Sequence, residues 1–196
     1  MPAQGLAKGF YQGLSEIQAA HVLLLQDSST FTLSKYSSKH ADFGRTSAGQ
    51  KGRGFHLHPT LAVDAEQEDL YGLAHLHWWT RSTRQPSQKE DPIEQKESYR
   101  WLASPLQARQ RIPASVKTMV ADQESDIYEL FERLPPQGVE VLLRAAQDAS
   151  WPLPRESGCS TGSASNPCRG QSICFCRPSL GSDGLARLSC NCALVN

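Results

Sequence analysis

Two apolar runs in this chain each stop at an aspartate. The first, HVLLLQ at 21–26, ends at Asp27, and the second, VKTMVA at 116–121, ends at Asp122. Both runs have the length of a buried strand. Asp122 is followed by Glu124, Asp126 and the opening of a helix in the stretch MVADQESDIYELF. A carboxylate at a strand end, just ahead of a helix, suits a site that holds divalent metal for phosphoryl transfer. The two aspartates lie far apart in sequence. They can meet only if their strands run parallel as neighbours, with both C-terminal ends at one sheet edge. Parallel neighbours need a crossover between them, so this pattern constrains the fold more than any other feature.

The chain between the two runs supplies the crossover. GFHLHPTLAVD at 54–64 and LYGLAHLHWWTR at 70–81, joined by the acidic turn AEQED, read as a long β-hairpin. KESYRWLASPLQARQ at 96–110 has helical spacing through Tyr99, Leu102 and Leu106, and Pro105 is expected to interrupt or end that helix. SDIYELFERLP at 125–135 reads as a short amphipathic helix stopped by Pro135-Pro136, and VEVLLRAAQ at 139–147 as a final strand. Residues 5–20 suggest a short helix; 34–54 and 82–95 read as loops. The order predicts an α/β domain with a mixed sheet, a hairpin-linked antiparallel half and a helix-linked half whose strands run parallel.

The character changes after residue 150. All six cysteines fall there, with much Gly, Ser and Pro and little periodicity. The organisation expected is a helical remnant at 1–20, a catalytic-type α/β domain at 21–150 and a disordered Cys/Ser/Gly-rich tail at 151–196. A cysteine-free body argues against a disulfide framework. The 196 residues carry 20 basic and 20 acidic side chains, so charge balance alone does not mark a nucleic-acid binder. No apolar run approaches the roughly 20 residues of a membrane span. The N-terminus lacks the apolar core of a secretory signal, and the expected compartment is the cytoplasm.

Several segments together resemble the bacterial insertion-sequence transposases of the DDE, cut-and-paste type. They are QDSST (26–30), GRGFHLHPTLAVD (52–64), GLAHLHWWTR (72–81), QKESYRWL (95–102) and VADQESDIYELFERL (120–134), in the family's order. The resemblance implies an RNase H-like core with flanking helices, in which two aspartates and a distal glutamate hold divalent metal. Asp27 matches the first aspartate. Asp122 matches the second, within the D-x-E-x-D string that Glu124 and Asp126 complete. The third acid belongs to a Tyr-Arg-x-x-x-Glu helix beyond the last strand, and this chain has no such segment; after 150 it holds only Glu156 and Asp183. The family's end-binding and dimerisation regions are also missing, which implies an incomplete, truncated copy.

The chemistry implied is metal-dependent hydrolysis of DNA phosphodiesters followed by strand transfer, with Mg²⁺ or Mn²⁺ as cofactor, DNA as partner and a transposase homo-oligomer as the assembly. Two carboxylates bind one such ion weakly, and a two-metal site usually needs a third acid. The expectation is therefore a fragment without turnover of its own. The alternatives are a small metal-dependent nuclease, with Glu124 or Asp126 as the missing carboxylate, and a non-catalytic fragment that binds DNA or an intact transposase and inhibits it. Glu124 and Asp126 can equally serve the positive end of the following helix.

Other side chains offer further chemistry. His56, His58, His75 and His77 alternate on the two hairpin strands, a pattern open to zinc but more simply that of a half-exposed sheet. Trp78, Trp79 and Trp101 suit a core or sheet edge, or stacking on bases. Lys51, Arg53 and Arg81, with Arg84, Arg109 and Arg111, flank element ends and could contact phosphate. Cys174/Cys176 and Cys190/Cys192 have C-x-C spacing that fits no common zinc ribbon.

Overall fold

The computed structural model describes residues 11, 13–33, 43–46, 53–81 and 90–144, together with the backbone of 172–180 and 186–194. Among the described residues, nine strands form one mixed sheet. Its centre is β1 (His21–Gln26), which pairs antiparallel with β4 (Arg53–Asp64) on one side and parallel with β6 (Val116–Ala121) on the other. β4 continues into the hairpin with β5 (Leu70–Trp79), and β6 pairs parallel with β7 (Glu140–Arg144). Short strands β2 (Ser29–Thr32) and β3 (Gly44–Arg45) add to the start of β4. The antiparallel half and the parallel half thus meet at β1, which is compatible with an RNase H-like core.

The crossover from the hairpin to β6 is α1 (Tyr99–Arg109), which packs across β5, β4 and β1. Pro105 does not end this helix, which runs on to Arg109. A proline inside a helix costs about 3 kcal/mol relative to alanine. Here its ring is buried beside Trp101, Leu102 and Ala108, and tertiary packing offsets the lost amide. A second crossover carries a one-turn 3-10 segment at Gln123–Ser125, α2 (Tyr128–Arg133) and another 3-10 turn at Pro135–Gln137. Of the expected helix over 5–20, the described residues form only a 3-10 turn at Leu14–Glu16, and 17–20 are not helical; 5–10 and 12 lie outside the described residues.

Alternation builds the core. β1 buries Val22, Leu24 and Gln26 on one face, and β4 buries every second residue from Gly54 to Asp64. Val22, Leu24, Ala62, Trp101, Leu102 and Met119 close the centre, with Leu130, Leu134 and Val141 beneath the parallel half. The inward face of β4 is unusually polar: His56, His58, Thr60 and Asp64 are all buried. The half-exposed sheet expected for these histidines is therefore wrong for His56 and His58, which are buried.

The tail expectation also needs correction over two stretches. β8 (Ser172–Leu180) pairs antiparallel with β7, and β9 (Ala186–Leu194) pairs with β8. Ile173 and Phe175 alternate with Cys174 and Cys176, and Leu188, Cys190, Cys192 and Leu194 fall at every second position. That period of two suits a hairpin, and β7 otherwise presents an open edge of backbone donors and acceptors.

Candidate functional site

β1 and β6 are in register from His21↔Val116 to Leu25↔Val120. Carried two residues further, the same register sets Asp27 opposite Asp122, each just past its strand and each exposed. The Asp27 carboxylate Oδ1 accepts from the Ser28 amide at 2.7 Å. Asp122 caps the 3-10 turn that follows it: its Oδ1 accepts from the Glu124 amide at 2.9 Å, and the Ser125 hydroxyl donates to its carbonyl at 2.7 Å. Both acids are thus held by backbone geometry, and neither is matched by a cation in an ion pair among the described residues.

Beneath this edge runs a chain of side-chain hydrogen bonds that the sequence did not disclose. His58 Nε2 lies 2.9 Å from Gln26 Oε1, and Nδ1 lies 2.9 Å from Ser28 Oγ. The Gln26 oxygen can only accept, so Nε2–H donates to it and Nδ1 accepts from the Ser28 hydroxyl. Ser28 Oγ in turn accepts from Arg100 Nε at 3.0 Å. Burial, then the charge of Arg100, pushes the His58 pKa down to about 3. The imidazole is therefore neutral, as its two bonds require. Arg100 reaches this point from the first turn of α1, its guanidinium lying 4.9 Å from the Trp79 ring and 5.3 Å from the Trp101 ring. The YRWL string was informative in sequence for its helical spacing; Arg100 within it is the residue that reasoning passed over.

The other expected residues scatter. Glu124 is exposed and lies 3.7 Å from Arg100, and Asp126 closes the 3-10 turn. Among the described residues no three His, Cys, Asp or Glu side chains gather as a metal-ligand set. Lys51 lies outside the described residues, and Arg53 is exposed on β4. Arg81 forms a forked pair with Glu97 (2.8–3.0 Å) and donates to the Thr46 carbonyl at 2.9 Å. The Glu97 hydrogen bond raises the Arg81 pKa further, and Glu97 offsets its charge.

The histidine quartet does not converge either. His58 is spent on Gln26 and Ser28, and His56 stacks on Trp79 at 4.9 Å. Burial, then the charges of Arg111 and His77, lowers His75 to about 4; burial, then Arg100, lowers His77. Trp101 is core, whereas Trp78 is exposed.

Asp64 shows the ordinary fate of a strand-end aspartate. Its Oδ1 accepts from the amides of Glu66 and Gln67, and its Oδ2 from the Tyr71 hydroxyl. The Gln67 amide, then Tyr71 and Glu66, holds its carboxyl below the usual range. Asp64 is consumed by its own turn, while Asp27 and Asp122 remain at the solvent edge.

No family model matches this chain. Among solved structures it is similar to a piggyBac transposase in a synaptic complex with hairpin DNA, at 10% identity and a TM-score of 0.44 over 90% of this chain. This chain spans 34% of that protein's length, and at this level of likeness no function carries across.

Proposed function

We propose that the described body is part of the catalytic core of a DDE-type DNA transposase, with Asp27 and Asp122 as its two strand-end metal ligands and without turnover of its own. The observation that supports this is the parallel pairing of β1 with β6, in a register that levels the two aspartates at one edge. The donor set fits one hard divalent cation: two exposed carboxylates, with water and a phosphodiester oxygen to complete six oxygen ligands. Bound there, Mg²⁺ or Mn²⁺ would polarise the phosphodiester and lower the pKa of an attacking water.

The chain's own contribution is position. The Glu124 amide fixes Asp122, the Ser28 amide fixes Asp27, and the neutral His58 holds Ser28 from below. No third carboxylate joins them among the described residues. In this reading a third acid has to come from outside those residues or from an intact copy in a mixed assembly on DNA.

Mn²⁺ binding followed by electron paramagnetic resonance tests the proposal. One weakly bound ion per chain is expected, with affinity lost in Asp27→Asn and in Asp122→Asn. Unchanged binding in both variants would remove the site. Strong Mg²⁺-dependent nicking by the purified chain, abolished by Asp122→Asn, would replace the fragment reading with that of a small nuclease.

A further inference from the structure

Arg109 and Lys117 share an open cavity of about 430 Å³ where the end of α1 meets the starts of β6 and β7. Its remaining lining, Gln110, Ser115, Gln137 and Gly138, contains no acid. Arg109 donates from Nη1 to the Gln137 carbonyl and from Nη2 to Gln137 Oε1 at 2.8 Å, while its Nε–H is buried with no acceptor among the described residues. Lys117 donates to the Ala114 carbonyl. Both cations are therefore held by neutral acceptors.

The two charges also sense each other. Burial lowers the Lys117 pKa, Arg109 lowers it further, and no acid raises it. The carbonyls closing α1 place partial negative charge nearby, worth roughly half an elementary charge. That is small beside two full cations. Gly138 has a left-handed backbone (φ 74°), which brings the main chain into the wall without a side chain. Two neighbouring cations, neutral walls and an open mouth are what an oxyanion needs.

We infer that this groove binds a phosphate-class oxyanion, with Arg109 and Lys117 as its charged contacts. Free phosphate and the backbone phosphate of a nucleic acid share this chemistry. The inference does not depend on the metal edge, since the groove lies at the opposite end of β6 from Asp122.

Inorganic pyrophosphate titrated calorimetrically into the full chain at low salt tests it. Saturable uptake is expected, weakened about tenfold or more in Lys117→Gln and in Arg109→Gln, and unchanged in Arg133→Gln, whose cation is already paired with Glu94. Competition by a short single-stranded oligonucleotide would identify a nucleic-acid phosphate as the source; uptake that DNA cannot displace would identify a free anion. Arg109→Gln also frees Gln137 and so confounds binding with folding; Lys117→Gln with an unchanged melting temperature therefore decides. If it keeps full pyrophosphate affinity, or if the native chain shows no saturable uptake, the inference is overturned.

Discussion

The two ends of strand β6 carry opposite chemistry. Lys117 stands at its start and Asp122 just past its end, about 16 Å away at the usual strand rise. At the Asp122 end two carboxylates are held by backbone amides, with a neutral histidine below them. At the Lys117 end two cations are held by carbonyls and an amide side chain. In both places neutral groups fix the charges, although at the Asp122 end the Arg100 guanidinium also reaches Ser28 and lies 3.7 Å from Glu124. Elsewhere charge is consumed: Asp64 by its own turn, Arg81 by Glu97. What separates a candidate site from a structural ion pair is whether the scaffold that fixes the charge also cancels it.

One core residue serves both ends. Met119 lies midway along β6 and is fully buried. Met119→Ala should cost about 2–5 kcal/mol, read by urea unfolding, and should weaken Mn²⁺ and pyrophosphate binding together. Loss at one end with the other intact would show that the two ends are independent units, and would break the comparison.

Acid should separate them. His58 is neutral when folded, with a pKa near 3 against 6.5 when free. The unfolded chain therefore binds more protons between those values, so stability is fully present above about pH 6.5 and falls as pH drops through that window. From pH 7 to pH 5 the loss from His58 alone should be about 2 kcal/mol. His75, lowered to about 4, acts in the same direction but less, being partly exposed. Asp64 acts only at lower pH, because its carboxyl lies below 3.8. Unfolding measured at the two pH values should show the drop, and His58→Gln should flatten it. An equal drop in that variant would place the acid sensitivity elsewhere.

What the sequence disclosed follows from which signals are local. Apolar runs marked β1, β4, β5, β6 and β7, because strand alternation and length are written in consecutive residues. The levelling of Asp27 with Asp122 needed the parallel pairing, which only the crossover order implied. Ser28, His58 and Arg100 could not be joined by reading along the chain, because their contacts span 30 and 72 positions. Pro105 and the hairpin of β8 and β9 were misjudged for a related reason. Helix propensity argued against Pro105, which burial outweighed, and the Gly, Ser and Pro around 172–194 masked a period of two that the open edge of β7 pairs with.

The smallest expected effect concerns Arg81, and it sharpens the distinction between charge that is held and charge that is cancelled. Arg81 and Glu97 are each more than a third exposed, with side-chain exposures of 38% and 43%. A surface pair of this kind contributes about 0.2–1 kcal/mol, and a forked geometry favours the upper part of that range. Arg81→Gln should therefore lower stability by less than about 1 kcal/mol, and the loss should shrink as salt rises. It should leave DNA affinity and its salt slope nearly unchanged, because Glu97 already offsets the charge a phosphate would meet. Lys117→Gln, by contrast, should reduce that slope by about one phosphate contact if DNA occupies the groove. Gel-shift titrations of both variants against salt compare the two directly. A slope that falls with Arg81→Gln and not with Lys117→Gln would return the nucleic-acid contact to the Arg81 edge and reverse the assignment of the two ends.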